Sequence, residues 1–227
     1  MLPDLLVIGD SHSNALLAGC RAHGLTAEML RFSGNFWHSG HVVFHREHGI
    51  WVRRIAAQQQ LVIDLRARLG GRSVIGPDVP ILATMGYHLG RIVPPFGTNN
   101  HVSDAESFAD DPTSHYASVA LVDAYVEQTR ASHIQLARRM SRHGNMTLVA
   151  PPKVFGRSNY HAVADAVSRR MRAAAVRLYD PSEDLFAGGE ALASDYLSED
   201  GVHGNDRYGA EVVGRLIAHG LIAKRAA

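Results

Sequence analysis

The stretch "LLVIGDSHSN", residues 5–14, passes from an apolar run directly into polar residues. The run Leu5 to Ile8 is short and unbroken, as expected for a strand buried on both faces. A helical pattern that includes Leu16 and Cys20 begins soon after the polar residues. The stretch therefore predicts a strand, a polar turn carrying Ser11, and a helix.

The rest of the chain repeats this alternation of apolar runs and helical periods. Four further short apolar runs predict strands at residues 27–32, 79–85, 146–150 and 176–179. Apolar residues recur every three or four positions in the segments between them. Parallel neighbouring strands need crossover connections, so the alternation predicts a parallel sheet covered by helices on both faces. Two long connections, residues 34–54 and 87–116, are predicted to be functional lids.

Length and composition indicate an ordinary globular chain. The 227 residues suit one domain, residues 1–227, and 46% hydrophobic against 20% charged residues is too apolar for disorder. The 23 basic and 22 acidic residues give a net charge of +1, with no long run of one sign, which argues against a nucleic-acid partner. We expect a single packed domain of unknown oligomeric state.

The sequence shows no membrane span and no signal peptide. No apolar run approaches the roughly 20 residues that cross a bilayer, and the basic segment and cleavage site of a secretory leader are missing. We therefore expect a cytoplasmic protein without a membrane partner. The single cysteine, Cys20, excludes an intrachain disulfide and a Cys-rich metal site, and it is interpreted as a buried residue.

In such a sheet a site forms at the carboxyl ends of the strands. Ser11 lies where the first strand ends and a helix begins, so the N-terminal N–H groups of that helix favour negative charge nearby. This is a suitable place for a nucleophile. The alternative is that Ser11 or Ser13 only caps the helix.

A second polar segment, "YLSEDGVHGNDRYG", lies at residues 196–209 before the last predicted helix. A serine attacks poorly unless a base removes its proton, and the base needs an acceptor that fixes its tautomer. Asp200 and His203, three residues apart on a turn, have the required chemistry. Such a pair also occurs by chance in surface loops.

Together, "GDSH" after the first strand and "DGVHGNDRYG" before the last helix resemble the SGNH hydrolase family of GDSL-like esterases and lipases. "APPKV", residues 150–154, is similar to the end of the family's fourth strand. The resemblance implies a flavodoxin-like, three-layer α/β/α fold with a five-stranded parallel sheet of order 2-1-3-4-5. It also implies that Ser11 is the nucleophile, His203 the general base and then acid, and Asp200 its orienting partner.

The family's oxyanion hole is only partly matched. The resemblance implies a backbone N–H from the nucleophile, a glycine N–H after strand two and an asparagine side chain after strand three. Gly34 fits the glycine role, with Gly40 as a rival. "TMGYHLG" places His88 at the asparagine position, and Asn99 in the later "GTNN" is a less favoured alternative because two prolines precede it.

These residues predict a serine ester hydrolase, a carboxylesterase or deacetylase acting on a small acylated or carbohydrate ester, with no cofactor and no metal. Losing one oxyanion donor costs roughly 2.7 to 4 kcal/mol, far less than losing the nucleophile, so His88 is compatible with activity. The alternatives are a sugar O-acyltransferase and a non-catalytic carbohydrate-binding member of the fold.

Other histidines and aromatic residues leave alternatives open. His12 is not favoured as the base, because adjacent side chains on such a turn diverge, and it is placed near a leaving group or loop. Four histidines would share one face of a helix as a metal cluster, but glycines make that helix doubtful and a solvated or substrate-facing role is favoured; they are His38, His41, His45 and His48. Trp37 and Tyr87 either stack on substrate or pack under the loops.

Overall fold

The structure is a computed structural model, and it describes residues 2–94, 101–102, 115–154, 158–185 and 192–224. In chain order its strands and helices are β1 (Leu5–Gly9), α1 (Ser13–Ala22), β2 (Ala27–Arg31), α2 (Gly34–His38), β3 (Val42–His45), β4 (Gly49–Val52), α3 (Ala56–Arg68), β5 (Ile81–Thr84), α4 (Leu89–Ile92), β6 (His101–Val102), β7 (His115–Tyr116), α5 (Val119–His143), β8 (Met146–Val149), α6 (Ser158–Ala173), β9 (Leu178–Tyr179) and α7 (Asp206–Ala218). Short 3₁₀ helices lie at Pro181–Glu183 and Ser194–Tyr196.

Five strands form a parallel sheet in the order β2-β1-β5-β8-β9. Counted among the sheet strands alone, this is 2-1-3-4-5, so the expected fold class is confirmed. The register aligns Gly9 with Arg31 on one side and with Thr84 on the other. The carboxyl ends of the three strands therefore lie at one edge of the sheet, where the polar residues after each strand converge.

Helices cover both faces of the sheet because alternate strand residues point to opposite sides. On one face, Leu5 and Val7 of β1 pack with the apolar sides of α1 and α7. On the other face, Leu6 and Ile8 belong to a larger core with α3, α5 and α6. These four of the five residues of β1 are at most 1% exposed, which accounts for the continuous apolar sequence of the strand.

The connection at residues 34–54 is not the long loop that the sequence predicts. It contains α2 and an antiparallel hairpin of β3 and β4, with Val42 opposite Val52 and His45 opposite Gly49. The glycines and histidines in this segment obscured the apolar pattern of the two strands. Ile50 and Val52 of β4 are nevertheless fully buried, as expected for strand residues that contribute to the core. The second predicted lid, residues 87–116, begins with α4, and most of it lies outside the described residues.

No helix in the described part of the chain is both long and apolar enough to cross a bilayer.

Candidate active site

Ser11 lies in the turn between β1 and α1. The helix begins at Ser13 with His12 at the N-cap, and no side chain caps it by a hydrogen bond. The alternative that Ser11 or Ser13 is a capping serine is therefore wrong. Ser13 is instead buried, with its hydroxyl 2.8 Å from that of Thr84.

Glycine at position 9 allows the turn to sit against the neighbouring strand. A Cβ on Gly9 would lie 2.1 Å from Oγ1 of Thr84, a distance that no side chain tolerates. The backbone N–H of Asp10 donates to the carbonyl of Thr84 at 3.1 Å. The turn carrying Ser11 is thus fixed to the end of β5.

The two helices that follow the sequence motifs, α1 and α7, pack against each other at glycines. A Cβ on Gly209 would lie 1.8 Å from the carbonyl oxygen of Ala15, and one on Gly19 would lie 2.1 Å from the carbonyl oxygen of Gly209. Only glycine permits this approach of the two backbones. It brings the start of α7, and the loop before it, to the start of α1.

Asn205 holds the loop before α7. Its side-chain oxygen accepts from the N–H of Tyr208 at 3.0 Å and caps the helix, while its amide donates to the carbonyl of Leu197 at 3.1 Å. The N–H of Ser198 donates to the carbonyl of His203 at 2.8 Å. These bonds close residues 197–205 into a compact turn that presents the imidazole of His203.

Ser11, His203 and Asp200 form a continuous hydrogen-bonded chain. The Ser11 Oγ lies 2.6 Å from Nε2 of His203, although 192 residues separate them. On the other side of the ring, Nδ1 donates to Oδ2 of Asp200 at 2.6 Å. Because the carboxylate favours a proton on Nδ1, Nε2 is left free to accept the serine proton.

Backbone groups stabilise the Asp200 carboxylate in its charged form. Its Oδ1 accepts the N–H of His203 at 3.0 Å and that of Val202 at 2.9 Å. These two bonds, with the His203 side chain, hold the pKa of Asp200 well below its usual range. The carboxylate stays ionised over the whole range in which a histidine titrates.

A second Asp–His pair lies next to the Ser11 turn. His88 Nε2 is 3.3 Å from Oδ2 of Asp10, with side chains only 5% and 9% exposed. The contact has ion-pair distance without the alignment of a hydrogen bond. Burial works against charge on Asp10, but the His88 side chain and the backbone N–H of His12 favour the charged carboxylate and outweigh burial, so the pKa of Asp10 is lowered.

His88 occupies a strained backbone position that turns its ring toward Gly34. Its φ of 46° lies in the left-handed region, which costs free energy for a residue with a side chain. A Cβ on Gly34 would lie 3.3 Å from Cδ2 and 3.7 Å from Nε2 of His88. Gly34 and the Nε2 edge of His88 are therefore neighbours.

The rival glycine for the oxyanion site lies elsewhere. Gly40, with φ of 70°, follows α2 and lines a separate cavity between α2, the hairpin and α5. Asn99 lies outside the described residues.

A cavity of about 510 Å³ opens at this edge of the sheet. The described residues that line it include the predicted nucleophile and both predicted oxyanion residues, Ser11, Gly34 and His88. Asp10 and His12 contribute polar surface, and Pro151 and Pro152 of the "APPKV" segment contribute apolar surface. His203 reaches Ser11 from the adjoining loop.

His12 contacts the ring of the proposed base. The centroids of His12 and His203 are 4.6 Å apart with a tilt of 44°. Burial, together with the nearby His203 and His88, lowers the pKa of His12 despite the attraction of Asp10. His12 is thus held neutral against the imidazole that bonds Ser11.

The remaining aromatic candidates are packed. Trp37 is 1% exposed and packs against Phe32, so stacking on a substrate is excluded for it. Tyr87 is 4% exposed, with its hydroxyl 2.8 Å from that of Ser168, and it also borders the cavity. Burial raises the pKa of Tyr87, which keeps the phenol protonated.

The four histidines of the possible metal cluster do not share a helical face. His38 ends α2 and His45 ends β3, while His41 and His48 lie in turns beside them. Within the described ranges no group of three or more His, Cys, Asp or Glu side chains is placed to hold a metal. Cys20 is buried, and burial raises the pKa of its thiol to about 12.

Several residues of the site escaped the sequence analysis. Asp10 was visible in the opening motif, but its partner His88 lies 78 positions away and only the sheet brings them together. Gly19 and Gly209 read as ordinary helical glycines, and nothing in the sequence reveals that they face each other. Asn205 could have been found as an N-cap, since it precedes an acidic first turn.

No protein-family model matches the chain, and no curated protein matches it either. Among solved structures, the chain is similar to a lipase/acylhydrolase from Enterococcus faecalis, with 11% identity, coverage of 98% of both chains and a TM-score of 0.42. It is similar to the psychrotrophic esterase EstA from Pseudoalteromonas sp., with 12% identity, coverage of 96% of this chain and 97% of that one, and a TM-score of 0.46. A third similar structure is an extracellular lipase from Streptomyces rimosus, with 14% identity, coverage of 95% and 98%, and a TM-score of 0.47. Conclusions about chemistry therefore rest on the side chains of this chain.

Proposed function

We propose that this protein is a serine ester hydrolase of the SGNH type, with Ser11 as nucleophile, His203 as base and Asp200 as its orienting group. The observation that carries the proposal is the contact of 2.6 Å between Ser11 Oγ and His203 Nε2, continued at 2.6 Å from Nδ1 to Asp200. A serine beside an oriented neutral imidazole is an activated nucleophile. A non-catalytic binding module would need neither contact.

In the first half of the reaction, Ser11 Oγ bonds to the carbonyl carbon of the ester and its proton passes to Nε2 of His203. Asp200 stabilises the imidazolium through Nδ1 and keeps its own charge. His203 then gives the proton to the alcohol oxygen as the bond between carbonyl carbon and that oxygen breaks. The products are a free alcohol and an acyl group on Ser11.

In the second half, water takes the place of the alcohol. His203 removes a proton from water, whose oxygen bonds to the acyl carbon, and the proton then returns to Ser11 as the acid leaves. Because His203 is about 30% exposed in its side chain, water reaches it without rearrangement of the core.

We assign stabilisation of the oxyanion to the backbone N–H groups of Ser11 and Gly34 and to His88. A neutral histidine has one N–H, so its tautomer decides whether it donates toward the site. The carboxylate of Asp10, 3.3 Å from Nε2, favours the proton on that nitrogen. This is the edge of the ring that faces Gly34, so Nε2–H is the donor available to an oxyanion beside Ser11.

The proposal is tested with purified protein and a short-chain para-nitrophenyl ester. Ser11→Ala and His203→Asn are expected to lower kcat by about ten-thousand- to a million-fold relative to wild type. Ser194→Ala is the matched control, because Ser194 is an exposed serine and is not among the described residues that line the cavity. Equal rates for wild type and Ser11→Ala would contradict the proposal.

A further inference from the structure

The cavity beside Ser11 is divided into an apolar side and a polar side, and the strand order explains the division. β8 lies on one side of the central strands β1 and β5, and β2 lies on the other. The apolar side follows β8 and includes Pro151, Pro152 and Val154. Ser33 and Asn35 follow β2 and line the opposite side.

Basic groups gather on the β2 side. Arg91 of α4 borders the cavity and is exposed. His38, at the end of α2, has its ring centroid 6.4 Å from that of His88, the N-cap residue of α4. Arg130 of α5 lies behind His38, with both terminal nitrogens 3.3 Å from Nδ1 of the imidazole.

Arg130 is an unusual residue because its guanidinium is fully buried. It is 0% exposed, and its Nε has no hydrogen-bond partner. Burial lowers the pKa of Arg130 to about 10, so it remains charged at neutral pH. Burial and the charge of Arg130 lower the pKa of His38, which keeps that ring neutral and able to accept from the arginine.

These positive charges lack a matching carboxylate in the described part of the chain. No described Asp or Glu forms an ion pair with Arg91 or Arg130. Five other arginines on helices that cover the same face of the sheet as α5 do have one: Arg66, Arg68, Arg169, Arg170 and Arg172. Asp10 is the one acid among the described cavity-lining residues, and His88 already faces it. The polar side of the cavity is therefore suited to an anion.

We propose that the natural ester carries an anionic group, such as a carboxylate, which binds Arg91 on the β2 side while the rest of the substrate packs against the β8 side. This inference rests on the proposed hydrolase function and adds the substrate class to it. Arg91 makes the direct contact, since it alone of the two arginines borders the cavity. Arg130 strengthens the field from behind His38.

The test compares esters that differ by one charge. On the acyl side, mono-para-nitrophenyl glutarate is compared with para-nitrophenyl valerate; on the alcohol side, meta-carboxy-para-nitrophenyl butyrate is compared with para-nitrophenyl butyrate. The variants are Arg91→Gln, Arg91→Glu and the matched control Arg53→Gln. Arg53 is also exposed but lines the separate cavity beside the β3–β4 hairpin.

In at least one of the two pairs, we expect wild type to favour the anionic ester by about ten-fold or more in kcat/KM, as befits a charge-assisted contact. Arg91→Gln should remove this preference and keep kcat/KM for the neutral ester within about three-fold of the wild-type value. Arg91→Glu should reverse the preference, and Arg53→Gln should retain it. The inference is overturned if wild type prefers the neutral ester in both pairs, or if the preference survives in Arg91→Gln.

A binding measurement separates this inference from the hydrolase proposal. Ser11→Ala is titrated calorimetrically with glutarate monobutylamide, an uncleaved anionic analogue of the acyl-side ester, and Ser11→Ala/Arg91→Gln serves as the comparison. Binding that depends on Arg91, combined with absence of Ser11-dependent turnover, would sustain the anionic subsite and contradict the hydrolase. Turnover that depends on Ser11, combined with binding that is equal with and without Arg91, would support the hydrolase and contradict the anionic subsite.

Discussion

Two Asp–His pairs flank Ser11, and they differ in burial and in geometry. Asp200 and His203 lie in a surface turn, with side chains 52% and 30% exposed and an aligned contact of 2.6 Å. Asp10 and His88 lie at the sheet edge, 9% and 5% exposed, with an unaligned contact of 3.3 Å. The same two residue types therefore occupy environments of opposite character.

The difference matches the two tasks in the proposed mechanism. A base must gain and lose a proton in every cycle, and exposure of His203 lets solvent accompany its change of charge. A donor to an oxyanion must instead keep one proton in one place, and a buried ring beside a fixed carboxylate does this with little reorganisation. The two pairs illustrate how burial, rather than residue type, assigns a role to a histidine.

The largest expected effect comes from removing the charge of the exposed pair. Asp200→Asn leaves the turn able to accept the backbone N–H groups but no longer favours the proton on Nδ1 of His203. We expect kcat to fall about a thousand- to ten-thousand-fold. Steady-state assays with the aryl ester measure this effect, and a fall of less than ten-fold would show that His203 does not depend on Asp200.

The buried pair is tested next at His88. His88→Leu removes the donor and should lower kcat by about a hundred- to a thousand-fold, with a smaller change in KM, since the contact forms in the transition state. His88→Asn restores an N–H at this position and should recover much of the loss. If His88→Leu and His88→Asn are equally slow, the donor role of His88 is wrong.

Stability separates the two carboxylates. Asp10 is buried and accepts the backbone N–H of His12 at 3.0 Å, so Asp10→Asn should lower the free energy of unfolding by about 1–3 kcal/mol. Asp200→Asn, at an exposed position where the amide oxygen can still accept the two backbone N–H groups, should lower it by less than Asp10→Asn. Urea unfolding of both variants provides the comparison, and equal losses would mean that burial does not distinguish the pairs.

The buried region near His88 also makes the stability of the protein depend on pH. His133, whose ring lies 6.0 Å from that of His88, is 4% exposed, and burial and Arg130 lower its pKa to about 4. Between pH 6.5 and 4, His133 is protonated in the unfolded chain but remains neutral in the folded protein. The contribution of His133 to the free energy of unfolding should therefore decrease by about 1.4 kcal/mol for each unit by which the pH is lowered in that window.

The variant His133→Gln tests whether His133 causes this loss of stability at lower pH. The glutamine amide retains a donor for the carbonyl of Trp37, which His133 Nε2 contacts at 2.6 Å, but it does not titrate. Urea unfolding between about pH 7 and 5 should show a shallower dependence for the variant. Parallel curves for the two proteins would contradict the assignment to His133.

Much of the fold could be predicted because its signals are local. The three central strands of the sheet, β1, β5 and β8, are short and fully buried runs, and glycines such as Gly24 mark helix ends through their left-handed backbone. The β3–β4 hairpin was missed because glycines and histidines surround its short apolar stretches: His45 ends β3 and Gly49 begins β4.

In the site, too, local pairings could be predicted from the sequence, whereas pairings that depend on the folded chain could not. Asp200 and His203 are three positions apart, so their pairing follows from the turn itself. The pairing of Asp10 with His88 depends on the register of β1 and β5, which no local pattern states. The close approach of α1 and α7 likewise depends on Gly19 and Gly209 facing each other, which is a property of the packed protein.

The central claim is that Ser11 is activated by His203, and covalent labelling tests it most directly. Wild type, Ser11→Ala and His203→Asn are treated with a fluorophosphonate, and the modified residue and its rate of modification are read by mass spectrometry. We expect rapid modification of wild type at Ser11 alone, none at this position in Ser11→Ala, and very slow modification in His203→Asn. Labelling of wild type at another residue, or equal rates with and without His203, would contradict it.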